Sequence, residues 1–157
     1  YEIMPSLVGS EMCIRDSPYT MFIGSGALWG ETILFSMCIL EEMQWKRTRY
    51  ITSADFFHGT LELVEPGVPV FLFMGEDENR KLDERVRAFL TRGVTGDTDI
   101  NIIDTAEFAI PGLDDEFRVI VSPWILTVLV TDRLARYYET VTKHNLKYRR
   151  YYHQFDY

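Results

Sequence analysis

The sequence predicts a three-layer α/β/α sandwich around a mainly parallel sheet, and three observations predict it. Short apolar runs bounded by turn residues alternate with longer segments of helical period, the order of strand–helix–strand units. One of these runs, Pro69–Met74 (PVFLFM), is apolar without a break, the pattern of a strand covered on both faces. A chain of 157 residues, 46% apolar and 25% charged, is one ordinary domain with room for a core.

Taken in order, Tyr19–Ile23 (YTMFI) is the first strand, and GSGALWG after it is a glycine-punctuated turn. Leu28–Gln44 is long enough for a helix and apolar nearly all round, which predicts a buried helix. Thr48–Ile51 is a short strand, and Phe56–Val64 makes one or two helical turns ended by Glu65-Pro66-Gly67. After the Pro69–Met74 strand, Asp77 is a suitable N-cap for an amphipathic helix within residues 77–93. Leu82, Val86, Phe89 and Leu90 share one side of it, and Gly93 stops it. Ile100–Asp104 is a further strand and Pro111-Gly112 a loop. Phe117–Val121 (FRVIV) reads as a last strand, and Pro123 stands where the final helix, Trp124–His144, begins. Residues 146–157 form an aromatic, basic tail without a clear period.

The first 17 residues stand apart. Residues 6–17 (SLVGSEMCIRDS) follow neither helical nor strand period and resemble sequencing adapter read as protein at the ends of translated environmental fragments. The expectation is that residues 1–17 are not native and that the domain, residues 18–145 with the tail 146–157, is the C-terminal part of a longer protein. Without them three acids and one base go, and the formal charge moves from −8 to −6. Either value argues against nucleic acid or an anionic membrane surface as partner, because both need a basic footprint. The local basic runs, Lys46-Arg47 and Lys147 to Arg150, suit one small phosphate or carboxylate instead.

Cys13 and Cys38 make neither a disulfide framework nor a CxxC spacing, and Cys38 is expected as a reduced, buried thiol. Three histidines far apart argue against zinc. The longest apolar runs, Ile33–Leu40 and Trp124–Val130, fall far short of the ~20 residues of a membrane span. No charged-then-apolar leader opens the sequence, so a reducing cytoplasm is the default compartment.

Open α/β sheets bind ligands at the carboxyl ends of their strands, and three features are expected there. Gly24, Ser25 and Gly26 follow the first strand and open a helix, where backbone N–H groups meet anions. The spacing G-x-G-x-x-x-G is not the dinucleotide fingerprint, which leaves a plain tight turn or a substrate contact. Glu41 and Glu42 close the first helix, where the dipole and the neighbouring acid both push a carboxyl pKa upward, toward the range useful for proton transfer. A solvated pair at a frayed end is the other reading. His58 lies sixteen residues beyond Glu42, and serves either as a packed imidazole satisfied by a carbonyl or as an acid/base partner.

Together YTMFIGSGALWG, EEMQW, ADFFHGTLELVEPGVPVFLFMGEDENR and the terminal RRYYHQFDY resemble the second sugar-isomerase (SIS) domain of the fructoselysine-6-phosphate deglycase group. The isomerase half of glucosamine-6-phosphate synthase is a more distant relative. The resemblance runs from about Pro18 to Tyr157 and implies an SIS-type, flavodoxin-like sandwich. It implies Glu42 as the acid/base on the sugar carbons, and His58 as the group assisting ring opening or departure, often in the neighbouring subunit's site. It also implies a homo-oligomer of two or more copies and no metal or cofactor, and Gly24, Ser25 and Gly26 are expected against the substrate from their place after the first strand. The implied reaction splits a ketosamine 6-phosphate into glucose 6-phosphate and a free amine.

Two departures shape this expectation. The phosphate loop S-x-S-G-x-T of such proteins is missing, and in double-domain relatives it lies in the first SIS domain, which would precede Pro18. The isolated chain is therefore expected to be inactive. The synthase also needs a lysine in its tail, and here no lysine follows Lys147, with His153 at about the lysine's place. That favours a deglycase over the aminotransferase; a non-catalytic sugar-phosphate-binding domain of a regulator is the remaining alternative.

Overall fold

The structure, a computed structural model, describes residues 17–93 and 95–156. Apart from Ser17, the segment expected to be non-native lies outside the described residues, as does Cys13. Four strands, β1 (Thr20–Gly24), β2 (Thr48–Ile51), β3 (Val70–Met74) and β4 (Ile100–Asp104), form one sheet in the order β2-β1-β3-β4. All three pairings are parallel, with Phe22 beside both Tyr50 and Phe71, and Leu72 beside Ile102.

Side chains of a strand alternate between faces, so two separate cores form. Phe22, Phe71 and Phe73 enter one core together with Phe35, Leu40, Leu126, Val130 and Tyr138. Met21, Ile23, Val70, Leu72 and Met74 enter the other with Phe56, Val86 and Leu90. The central strands β1 and β3 are consequently buried at every residue, while the edge strands are part-exposed. Phe22 stacks on Phe71 at 5.2 Å and meets the edge of Phe35 at 5.5 Å. Such pairs add roughly 0.5–1.5 kcal/mol each beyond the area they bury.

The first core is covered by two long helices. Helix α1 runs on through Gly26–Leu28, Trp29–Ile33 and Leu34–Met43, and its last segment opens to π-type bonding, with Gln44 N donating to Ile39 O at 3.0 Å. Thr32 and Ser36 hydroxyls donate to the Leu28 and Thr32 carbonyls at 2.8 and 2.6 Å, a local competition that loosens the helix ladder just where the register widens. The second core is covered by α2 (Ser53–Phe56), a 3₁₀ turn at Thr60–Leu63, and α3 (Arg80–Leu90). Helices on both faces of a parallel sheet make the predicted three-layer sandwich.

Four expectations need correction. Phe117–Val121 is helical: it belongs to α4, continuous through Asp115–Leu126, Thr127–Leu134 and Ala135–Thr142. Acids in its first turn, Asp115 and Glu116, favour the helix N-terminus and outweigh the strand preference of FRVIV. Pro123 is consequently inside the helix rather than at its start. Its missing N–H leaves the Val119 carbonyl without a helix donor, and Ser122 Oγ donates to that oxygen at 3.2 Å. Asp77 does not cap α3, which begins at Arg80 after Asn79; its carboxylate accepts from Asn79 N at 2.7 Å and from Ala27 N at 2.5 Å instead. Cys38 is half-buried rather than buried, and desolvation, then the Glu42 charge, push its thiol up, away from thiolate reactivity.

Candidate functional site

The parallel topology separates the sequence-predicted residues. Helix α1 leaves the carboxyl end of β1 and runs back, so that Glu41 and Glu42 arrive at the amino ends of the strands. Thr48, the first residue of β2, donates its hydroxyl to Glu41 Oε1 at 2.5 Å, and Arg47 O accepts from Thr20 N at 3.1 Å. His58 and the Gly24–Gly26 turn sit at the opposite, carboxyl ends. The expectation that all three features share those ends does not hold within one chain.

At the amino ends, a cleft of about 640 Å³ opens between the end of α1, the start of β2 and the tail. Arg149 Nε donates to Glu42 Oε1 at 2.8 Å, and the same guanidinium donates to the Leu146 and Tyr148 carbonyls at 2.7 and 2.8 Å. The Glu42 side chain keeps 31% of its surface exposed, so it remains open to solvent in the cleft. Gln44 fixes the other end of EEMQW to the tail: its Nε2 donates to His144 O at 2.7 Å, and its Oε1 accepts from Thr142 Oγ1 at 2.8 Å. Trp45 takes a left-handed φ of 56°, which ends the helix and sets its indole against His144 at 4.3 Å and under the Arg150 guanidinium at 4.2 Å. The sequence places Arg149 in a basic run suited to a small anion, but its pairing with Glu42 and the contacts of Gln44 and Trp45 with the tail were missed by sequence reasoning.

His58 is 79% exposed at its side chain, with Nδ1 3.8 Å from Asp55 Oδ1. It is not a packed histidine. Its position beside β2's carboxyl end points it to solvent, away from Glu42 of the same chain.

The Gly24-Ser25-Gly26 turn is knitted into the fold. Gly26 has φ 54°, and any side chain there would collide with the Asp77 carboxylate, which already takes the Ala27 N–H. Ser25 Oγ accepts from Ser53 N at 2.8 Å, Ser53 Oγ donates to Asp83 Oδ1 at 2.5 Å, and Gly75 N donates to Asp83 Oδ2 at 3.3 Å. Asp83 is 1% exposed, and burial pushes its carboxyl up to about 6 against the pull of the Ser53 and Gly75 bonds. Because the folded value lies above the unfolded one, this group's contribution is fully present below the unfolded pKa and is lost as pH rises toward 6. Asp83→Asn keeps both bonds, one as acceptor and one as donor. It is expected to remove a decline of about 2–3 kcal/mol between pH 4 and 7, measured by urea unfolding across that range; an unchanged pH slope in the variant contradicts the assignment.

No protein-family model matches the chain. Its sequence is 32% identical over 136 residues to fructosamine deglycase FrlB of Bacillus subtilis, across 85% of this chain and 39% of that protein. It is 34% identical over 116 residues to fructoselysine 6-phosphate deglycase of Escherichia coli K12, across 72% of this chain and 31% of that protein. A candidate phosphosugar isomerase of Bacillus subtilis superimposes with a TM-score of 0.83 at 25% identity, over 99% of this chain and 47% of that one. The C-terminal domain of glucosamine-fructose-6-phosphate aminotransferase from Francisella tularensis shares the fold alone, with a TM-score of 0.57 at 14% identity over 92% of this chain and 43% of that one. The sheet and these neighbours define a sugar-isomerase (SIS) domain. Within that class the chain is similar in sequence to proteins named fructosamine deglycase and fructoselysine 6-phosphate deglycase, and the aminotransferase domain shares the fold alone. It spans 31–39% of the length of these two curated relatives. Among the described residues no helix is long and apolar enough to cross a membrane.

Proposed function

We propose that this chain is the C-terminal SIS domain of a cytoplasmic deglycase that splits a ketosamine 6-phosphate into glucose 6-phosphate and a free amine. The observation that carries the reading is Glu42, part-exposed in a basic cleft and oriented by Arg149, in a chain whose relatives are named deglycases. After ring opening, Glu42 removes a proton from the carbon bearing the amine and returns one to the adjacent carbon. The product is the imine of the aldose phosphate, which water splits. One carboxylate serves both steps because the two carbons are neighbours. Arg149 fixes the direction from which the carboxylate approaches, which is the positional half of the catalysis. His58, exposed and remote from Glu42 of its own chain, acts in this reading on the site of a second copy in a homo-oligomer.

The test is direct. The whole protein is supplied with a ketosamine 6-phosphate, and glucose 6-phosphate and free amine are measured as they appear. Equal release of both supports the reading. Conversion of the sugar phosphate without amine release, or binding without turnover, replaces it with an isomerase or a sensor.

A further inference from the structure

Gln44 follows Glu42 closely in the chain but does not reach the cleft. Glu42 and Trp45, on either side of it, line the cleft; Gln44 does not, and it is only 4% exposed. A buried amide needs a partner at each end, a donor for its oxygen and an acceptor for its nitrogen. Gln44 finds both at the far end of the chain, the Thr142 hydroxyl at 2.8 Å and the His144 carbonyl at 2.7 Å. These two bonds pin the close of α4, where Lys143 turns left-handed at φ 54°, to the close of α1.

From that pin the chain is braced as far as Arg149. Leu146 N donates to Glu139 Oε1 at 3.0 Å, Lys147 N to Asn145 Oδ1 at 2.8 Å, and Tyr148 N to Asn145 O at 3.0 Å. Arg149 then returns to Glu42. The end of α1 and the tail are thus joined twice, at Gln44 and at Glu42, with an ordered turn between the joints. An arginine on an unpinned tail would lose backbone and rotamer freedom each time it met Glu42, whereas a pinned tail has lost it on folding. Resting on the reading of Glu42 as the acid/base, we propose that Gln44 is a positioning residue of the reaction: it holds Thr142 and His144 so that Arg149 meets Glu42, and it touches no substrate.

The experiment compares Gln44→Met, Arg149→Met and the double variant in the whole enzyme, with a ketosamine 6-phosphate as substrate. Methionine fills the space of glutamine and makes neither bond. Gln44→Met is expected to lower kcat by about ten- to a hundredfold, the scale of a misplaced catalytic group, with KM unchanged. The double variant is expected to be no slower than Arg149→Met alone, because Gln44 acts through Arg149. Losses that multiply, or a loss carried by KM, overturn the proposal. Thr142→Val removes one of the two bonds from the tail's side and serves where Gln44→Met does not fold. A partial loss of kcat that disappears in the Arg149→Met background supports the proposal, and full turnover overturns it. Amide hydrogen exchange reads the pin without turnover: the Leu146 and Tyr148 N–H groups are expected to exchange faster in Gln44→Met, and equal rates overturn the proposal. Failure of the underlying reading is a different result. Glu42→Gln then turns over normally while tail exchange still responds to Gln44→Met, and Gln44 loses its part in the reaction together with Glu42.

Discussion

Glu42→Gln in the whole enzyme is expected to lower kcat on a ketosamine 6-phosphate by about 10²–10⁴-fold, the range for loss of a positioned acid/base. Substrate affinity is expected to change little. Glutamine keeps an oxygen that accepts from Arg149 Nε, so the contact made at 2.8 Å, and the tail it anchors, are retained. It also removes a negative charge from a cleft lined by Arg47, Arg149 and Arg150, so binding of a phosphorylated substrate there would not be weakened electrostatically. The same variant should stop exchange of solvent deuterium into the carbon bearing the amine, read by proton NMR of the substrate. Exchange and turnover at the normal rate would remove Glu42 from the chemistry, whatever the cleft binds.

The parts of the fold that sequence reading found are those whose local pattern and tertiary fate agree. PVFLFM is apolar throughout because β3 lies at the centre of the sheet with a core on each side. The run around Leu82, Val86, Phe89 and Leu90 was legible because the outer face of α3 is charged. The start of α4 was not, because its apolar residues do not mark one buried face. Phe117, Ile120, Trp124 and Val128 recur at i, i+3, i+7 and i+11 and are all exposed, with Ile120 at 65% and Trp124 at 70%. The buried positions include Ser122, a polar residue with its hydroxyl turned to the helix's own backbone. Apolar residues on both sides blur the helical period into a run, and FRVIV then reads as a strand.

The place of Glu42 in the last turn of α1 was legible in the sequence; its surroundings were not. Arg149 is 107 residues away in sequence, in a tail with no period to say which way any residue faces. The ends of the sheet were legible in principle. A helix that leaves the carboxyl end of a parallel strand must return its far end to the amino side before the next strand starts, which moves Glu42 away from the Gly24–Gly26 turn. The hydroxyls and carboxylates at that turn show a second limit. Asp77 and Asp83 look like ordinary acids of an amphipathic helix and its approach, yet one closes the turn of α1 and the other ties Ser53 to Gly75.

The same topology makes a sharp demand on His58. Glu42 sits at the amino end of the sheet and His58 at the carboxyl end of β2, so one substrate can meet both only if they come from two copies. Mixing a Glu42→Gln protein with a His58→Asn protein, each inactive alone, is then expected to restore activity. Random exchange makes half of the dimers hybrid, and a hybrid two-fold dimer holds one doubly damaged site and one intact site, which returns about a quarter of the wild-type rate. The recovery should follow the rate of subunit exchange and vanish when exchange is blocked by prior cross-linking. If both groups acted from one chain, every site in every hybrid would still lack one of them, and the mixture would show no more than the sum of its parts. Retention of full activity by His58→Asn alone would leave Glu42 as acid and base with no imidazole beside it.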